Sequence, residues 1–256
     1  MSDSNSGTDE SSEFMNSGSR QPTKRMVPTD FTNANHITQP GDGDQDPKFL
    51  ITPSGAGANR VMLAGVVTDV EDVGEDQAYL RMRCTDVAGN DFLTYAGQYQ
   101  KDARNDIAEL DAPEFVQVIG KPNTLETDDG GVLTSVRPEV VNTISKREYF
   151  ALCAENAQHT IKRLTGEQGH EFFHAEADDL YGDEFDEEVY EAAVETLERV
   201  VEKVGAGAGQ DEFSRSDLEE MDYDELRGLA TEFDEVNGNA SADALVDALT
   251  DKPVPA

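Results

Sequence analysis

RVMLAGVVTDV, Arg60 to Val70, opens the stretch whose reading decides the fold. It is a β-type run with Gly65 inside it, and four more follow: YLRMRCT (Tyr79 to Thr85), FLTYA (Phe92 to Ala96), EFVQVIG (Glu114 to Gly120) and VLTSVR (Val132 to Arg137). Between the third and the fourth, QKDARNDIAEL (Gln100 to Leu110) abandons the period of two and reads as a helix. Three strands, a helix and two strands between Asn59 and Arg147 is the order of an OB-fold. That fold is a five-stranded, partly open barrel whose exposed strand face binds oligonucleotides or oligosaccharides. An interior glycine in the first strand suits the bend that such a barrel needs.

The period of two places Leu80, Met82 and Cys84 on one face of the second run and Tyr79, Arg81 and Arg83 on the other. The first set is core. The second, a ring and two guanidinium groups in a row, suits single-stranded DNA, with bases stacked on the ring and phosphates met by Arg. The plainer reading is an ordinary exposed strand whose cations pair with neighbouring carboxylates. In the third run either Phe92 and Thr94 or Leu93 and Tyr95 point inward; Phe92 and Tyr95 both stand as candidate contacts. Tyr99 lies beyond the strand beside Lys101 and Arg104. Lys121, before Pro122, and Arg137, opposite Val136, extend a cationic groove, whereas Arg60 at the strand entrance reads as structural. Phosphate contacts weaken as salt rises, but base stacking, worth roughly 1 to 3 kcal/mol per base, persists.

Four ordered segments resemble a known family: TPSGAGANRVMLAGVVTDVE (Thr52 to Glu71), YAGQYQ (Tyr95 to Gln100), VIGKP (Val118 to Pro122) and SVRPE (Ser135 to Glu139). Together they look like the haloarchaeal replication protein A-associated proteins, single-OB-fold partners of the archaeal single-stranded-DNA-binding protein. The resemblance spans Arg25 to Leu164. It implies a non-enzymatic accessory subunit acting in DNA replication and repair, with single-stranded DNA and a replication protein A-like large subunit as partners. It implies no cofactor.

Charge is unevenly spread over the 256 residues. Residues 166–256 hold 5 basic against 28 acidic residues, and even 59–165 holds 11 against 18. Such acidity fits either a cytosol at molar salt, where the Debye length falls to about 3 Å, or a basic partner. The molar-salt reading is preferred because the barrel segment is itself acidic. Two cysteines, Cys84 and Cys153, are too few for a disulfide framework and suit a reducing cytoplasm. No apolar run is long enough for a membrane span, and MSDSNSGTDESSEF lacks the features of a signal peptide, so neither export nor membrane contact is expected.

Residues 1–23 read as disordered, 24–147 as the OB-fold domain with an N-terminal arm or extra strand, and 148–204 as a helical extension. Residues 205–213 read as a flexible linker and 214–251 as a small helix-extension-helix module. A helix over Lys146 to Leu164 carries Phe150, Cys153, Ala157, Ile161 and Leu164 on one stripe, either a packing face or an interface with a partner. A second helix is expected from Phe185 to Val204. In the tail, Ser216 and Ser241 read as helix caps and NGN (Asn237 to Asn239) as a break. That module, poor in cations, serves DNA or protein docking. His170 to His174, HEFFH, matches the zinc-protease pattern, but Gly166 and Gly169 precede it and no apolar helix is expected around it, so His170 and His174 are weak metal ligands at most.

Overall fold

The computed structural model describes residues 22–40, 46–128, 130–207, 215–219, 221–231, 233, 236 and 240–250. Its contacts divide the chain into two compact units, Met1–Val200 and Val201–Ala256. The elements begin with β1 (Lys24–Arg25), α1 (Pro28–Thr32), β2 (His36–Thr38), β3 (Phe49–Ile51) and β4 (Gly57–Ala58). The central part follows as β5 (Val61–Asp72), β6 (Leu80–Thr85), β7 (Asp91–Ala96), α2 (Lys101–Ala108), β8 (Phe115–Glu126) and β9 (Val132–Thr143). Helices complete the chain: α3 (Lys146–Leu164), α4 (Glu171–Leu180), α5 (Asp183–Gly207), α6 (Arg215–Glu219), α7 (Tyr223–Ala230) and α8 (Ala242–Leu249).

The protein is mainly β with several helices, and among the described residues the main sheet has six strands where the sequence suggested five. Its order is β1-β5-β6-β7-β9-β8, and β5 also pairs with β8, so the last five strands form a closed ring of pairings. The ring is tight except at β7 and β9, which meet only at Thr94 and Val136. The sixth strand is the N-terminal arm: Lys24 and Arg25 run parallel to Val61 and Met62. Pro28 then starts a helix, because its fixed φ and missing N–H cost nothing at a helix's first turn. A separate three-stranded sheet, β2-β3-β4, precedes the ring.

Alternation holds where it was legible. Leu80, Met82 and Cys84 are buried, and in β7 the inward residues are Phe92, Thr94 and Ala96. All but Thr94 join Leu63, Val67, Ile107, Val116, Val118 and Val136 in one hydrophobic core. A side chain at Gly65 would meet Cys84 Cβ and Phe92 Cε1 at 2.9 Å, so glycine is required there for close packing. β8 and β9 run further than the sequence suggested, through Pro122 and Pro138. Pro138 is tolerated because it faces Gly120 where the register shifts between Ile119 and Gly120.

The stripe on α3, which the sequence left as a packing face or a partner interface, packs within the chain. Phe150 and Cys153 are buried against Ala64, Tyr149 and Val200, while half-buried Ile161 and Leu164 pack with Val27, Ala157, Val189 and Ala193. The end of α3 is also tied down by polar bonds. Arg163, 5% exposed, donates from Nε to Ser54 Oγ (2.8 Å), from Nη1 to the Arg25 carbonyl (3.0 Å) and from Nη2 to Asp30 Oδ2 (3.2 Å). Asp30 in turn accepts from the Ser54 N–H (2.9 Å), the Ser54 hydroxyl (2.6 Å) and the Thr52 hydroxyl (3.2 Å). Burial alone pushes the Arg163 guanidinium down from its usual value, and Asp30 acts against that fall.

A helix missed in the sequence, α4, contradicts the expectation that HEFFH lacks apolar surroundings. Phe173 and Ala177 pack with Tyr181 against Phe49 and Ile51, and the Tyr181 hydroxyl donates to the Ile51 carbonyl at 2.8 Å. In the second unit, α6, α7 and α8 share a core of Leu218, Leu226, Ala230, Leu245, Val246 and Leu249. Asp222, with Glu225, caps α7 through a reciprocal pair of bonds. Ser216 falls inside α6 instead of capping it, and Ser241 holds the cap position of α8 without a side-chain bond. The expected linker starts late, since Gly205 to Gly207 belong to α5. The disordered reading of residues 1–21, the rest of the linker and the NGN break lie outside the described residues.

Candidate nucleic-acid interface

The outward face of β6 and β7 is the first of two surfaces. Tyr79, 43% exposed, stacks on Tyr95, with ring centroids 5.7 Å apart and planes 23° from parallel. Asp72 fixes the entry: its Oδ1 accepts from the N–H groups of Gly74 and Tyr79, both at 3.0 Å, and those bonds hold its carboxyl below the usual range. Gly97 lets the ring settle, since a Cβ there would lie 2.9 Å from Tyr79 Cδ2. Sequence reasoning missed both residues, although a glycine closing the third strand inside YAGQYQ was a usable signal.

Arg81 and Arg83 share this face, but each meets carboxylates on the neighbouring strands. Arg81 Nη2 lies 2.5 Å from Glu71 Oε2 and 3.6 Å from Asp69 Oδ2, and Arg83 Nη1 lies 3.2 Å from Asp91 Oδ2. Glu71 stands directly opposite Arg81 in the β5–β6 register, where cross-strand charges interact best. The face is thus an aromatic pair flanked by neutralised guanidinium groups. Surface pairs of this kind are worth about 0 to 1 kcal/mol, so they yield readily to a phosphate. Phe92, 1% exposed, belongs to the core and is withdrawn as a contact residue.

The second surface lies where the chain leaves β7 and enters α2. A groove of about 430 Å³ is lined by Tyr99, Gln100, Lys101, Asp102, Ala103, Lys121, Arg137, Pro138 and Glu139. Four of the residues singled out in the sequence, Tyr99, Lys101, Lys121 and Arg137, thus meet in one place. Pairing of Lys121 with Arg137 across β8 and β9 brings two of the cations together. The Gly97 carbonyl accepts from the Gln100 N–H at 3.1 Å and closes the turn before α2, while Tyr99 stands out at 86% exposure. Among the described residues, Lys101, Lys121 and Arg137 have no carboxylate partner. Glu139 is taken by Arg60, whose Nε and Nη2 donate to its two oxygens at 2.5 and 3.0 Å. No sequence signal could join residues 79 positions apart in this way.

HEFFH has a structural job. His170 occupies the cap position of α4, outside the helix, and its Nδ1 accepts from the Phe172 N–H at 3.2 Å. His174 Nε2 lies 3.0 Å from the Gln168 carbonyl. The two imidazoles therefore do not share a helical face. Among the described residues no group of three His, Cys, Asp or Glu is placed to hold a metal. Cys84 and Cys153 are unpaired and buried, and no described helix is long and apolar enough to cross a membrane.

No family model matches the chain, and no curated protein matches it. Among solved structures, the S. pombe Stn1-Ten1 complex is similar at 10% identity and a TM-score of 0.40, covering 62% of this chain and 98% of that one. The N-terminal domain of PriB from Thermoanaerobacter tencongensis has 13% identity, a TM-score of 0.27 and coverage of 34% and 98%. The S. cerevisiae mitochondrial single-stranded DNA binding protein Rim1 has 16% identity, a TM-score of 0.27 and coverage of 34% and 94%. These likenesses are remote, and the architecture rests on the strand pairings themselves.

Proposed function

We propose that the ring of β5, β6, β7, β9 and β8 is an OB-fold barrel and that the protein is a non-enzymatic accessory subunit of a replication protein A-like complex, holding single-stranded DNA during replication and repair. The observation that carries this reading is the meeting of Tyr99, Lys101, Lys121 and Arg137 in one groove, in a segment where Arg60, Arg81 and Arg83 are paired to acids. The Tyr79–Tyr95 pair adds a stacking platform on the strands that OB-folds use for ligands. The resemblance of the four segments names the process and the large subunit, and with the acidity it favours a haloarchaeal cytoplasm. The second unit serves docking to that subunit or to DNA.

The test measures binding of poly-dT with Tyr79 and Tyr99 both changed to Ala, at about 2 M KCl, where stacking outlasts counterion release. A clear loss of affinity is expected. Binding by the parent chain that the double variant leaves unchanged would instead favour a protein adaptor that docks the main subunit without touching DNA. That alternative draws on the neutralised state of Arg81 and Arg83.

A further inference from the structure

The groove beside α2 carries more positive charge than an internal phosphodiester requires. Of its two acidic lining residues, Glu139 is already bound by Arg60, which leaves Asp102 against Lys101, Lys121 and Arg137. The excess is therefore about two positive charges by formal count. A phosphodiester brings one negative charge, whereas a phosphomonoester brings about −1.5 to −2 at pH 7 and three acceptor oxygens. Arg137 offers a planar fork that suits two of those oxygens, and the two lysines act as point charges. At about 430 Å³ the groove lies near the lower end of the roughly 300 to 1,000 Å³ common for ligand sites, room for one nucleotide and not for a run of them. Tyr99, at the rim and almost fully exposed, supplies a ring for the attached base.

We propose that this groove receives a nucleoside phosphomonoester, with the terminal phosphate among Lys101, Lys121 and Arg137 and the base against Tyr99. A phosphorylated strand end and a free mononucleotide present the same chemistry. The inference rests on the single-strand reading above and adds end recognition to it.

The test uses the full chain at about 0.1 M salt and compares dT oligomers of one length carrying a 5′-phosphate, a 3′-phosphate or hydroxyls at both ends. One extra phosphate charge should tighten binding of one phosphorylated end about fivefold, from a slope near 0.7 per contact. The Lys121→Gln/Arg137→Gln variant, checked for an unchanged melting temperature, should lose that preference and bind all three oligomers alike. Competition by dTMP but not by thymidine supports the same site and identifies a free nucleotide as able to fill it. Competition by the phosphorylated oligomer alone supports it with a strand end as the source. Equal binding of phosphorylated and hydroxyl oligomers by the parent chain would overturn end recognition while leaving single-strand binding intact. Competition by inorganic phosphate as strong as by dTMP would also overturn it, as an unspecific anion site. Absence of binding by every oligomer, both here and in the assay at about 2 M KCl, would overturn the single-strand reading itself.

Discussion

The two ends of α2 border grooves of opposite character. At its start, Lys101 joins Lys121 and Arg137 around the smaller groove. At its end, Asp106, Glu109 and Leu110 border a groove of about 780 Å³ shared with Glu114, Gln117 and Glu148, whose lining among the described residues includes no Lys or Arg. A helix places partial positive charge at its start and partial negative charge at its end. Asp102 offsets Lys101 in the first turn, so it is Asp106 and Glu109 near the last that work against the helix, by roughly 0.3 to 1 kcal/mol at low ionic strength. The last turn contains no basic residue to offset this. Local choices that oppose local stability mark places where the sequence serves something else. The first end carries the cations that the proposed anion site needs, and no anion is expected at the second.

The sharpest way to break the contrast is to invert the first end. Lys121→Glu with Arg137→Glu should lower dT oligomer affinity on the order of 100-fold at about 0.1 M salt, since two lost contacts account for about 25-fold and repulsion adds to it. Titration of binding against salt should also show a slope shallower by about 1.4. Next in size, Tyr99→Ala should cost about 5- to 10-fold in the same assay, the lower part of the stacking range, because the ring is so exposed. Gly97→Ala should displace Tyr79 and cost about threefold, read together with loss of the Tyr79–Tyr95 contact in aromatic proton shifts. The smallest effect belongs to the acid end: Glu109→Lys should leave oligomer binding unchanged and raise stability by about 0.5 kcal/mol in a low-salt melt. A gain in affinity from Glu109→Lys equal to the loss from the first pair would mean that net charge alone matters, and the contrast would dissolve.

Much of the ring was legible because its strands bury one face. A period of two marked Leu80, Met82 and Cys84, and the break in that period marked α2. In β7 the two phases looked equally apolar until packing against Gly65 chose Phe92. The extra length of β8 and β9 was hidden by Pro122 and Pro138, which normally end a strand and are accommodated here beside a register shift. α4 was hidden by acidic residues around a short apolar set, Phe173 and Ala177, whose partners Phe49 and Ile51 lie far away in sequence. At the site, residue types were legible and grouping was not. Which cations are spent on carboxylates depends on register, and register decides that Arg81 faces Glu71 while Lys121 faces Arg137.

The buried bond set joining Arg163 to Asp30 and Ser54 has a practical consequence for dissecting this chain. A fragment cut at Arg147, where the strands end, would lose both the guanidinium that pairs with the buried Asp30 carboxylate and the helix that covers it. The smallest piece worth expressing therefore ends after Leu164 and not before, and a shorter clone that precipitates would speak of a missing helix and guanidinium, not of a failed sheet.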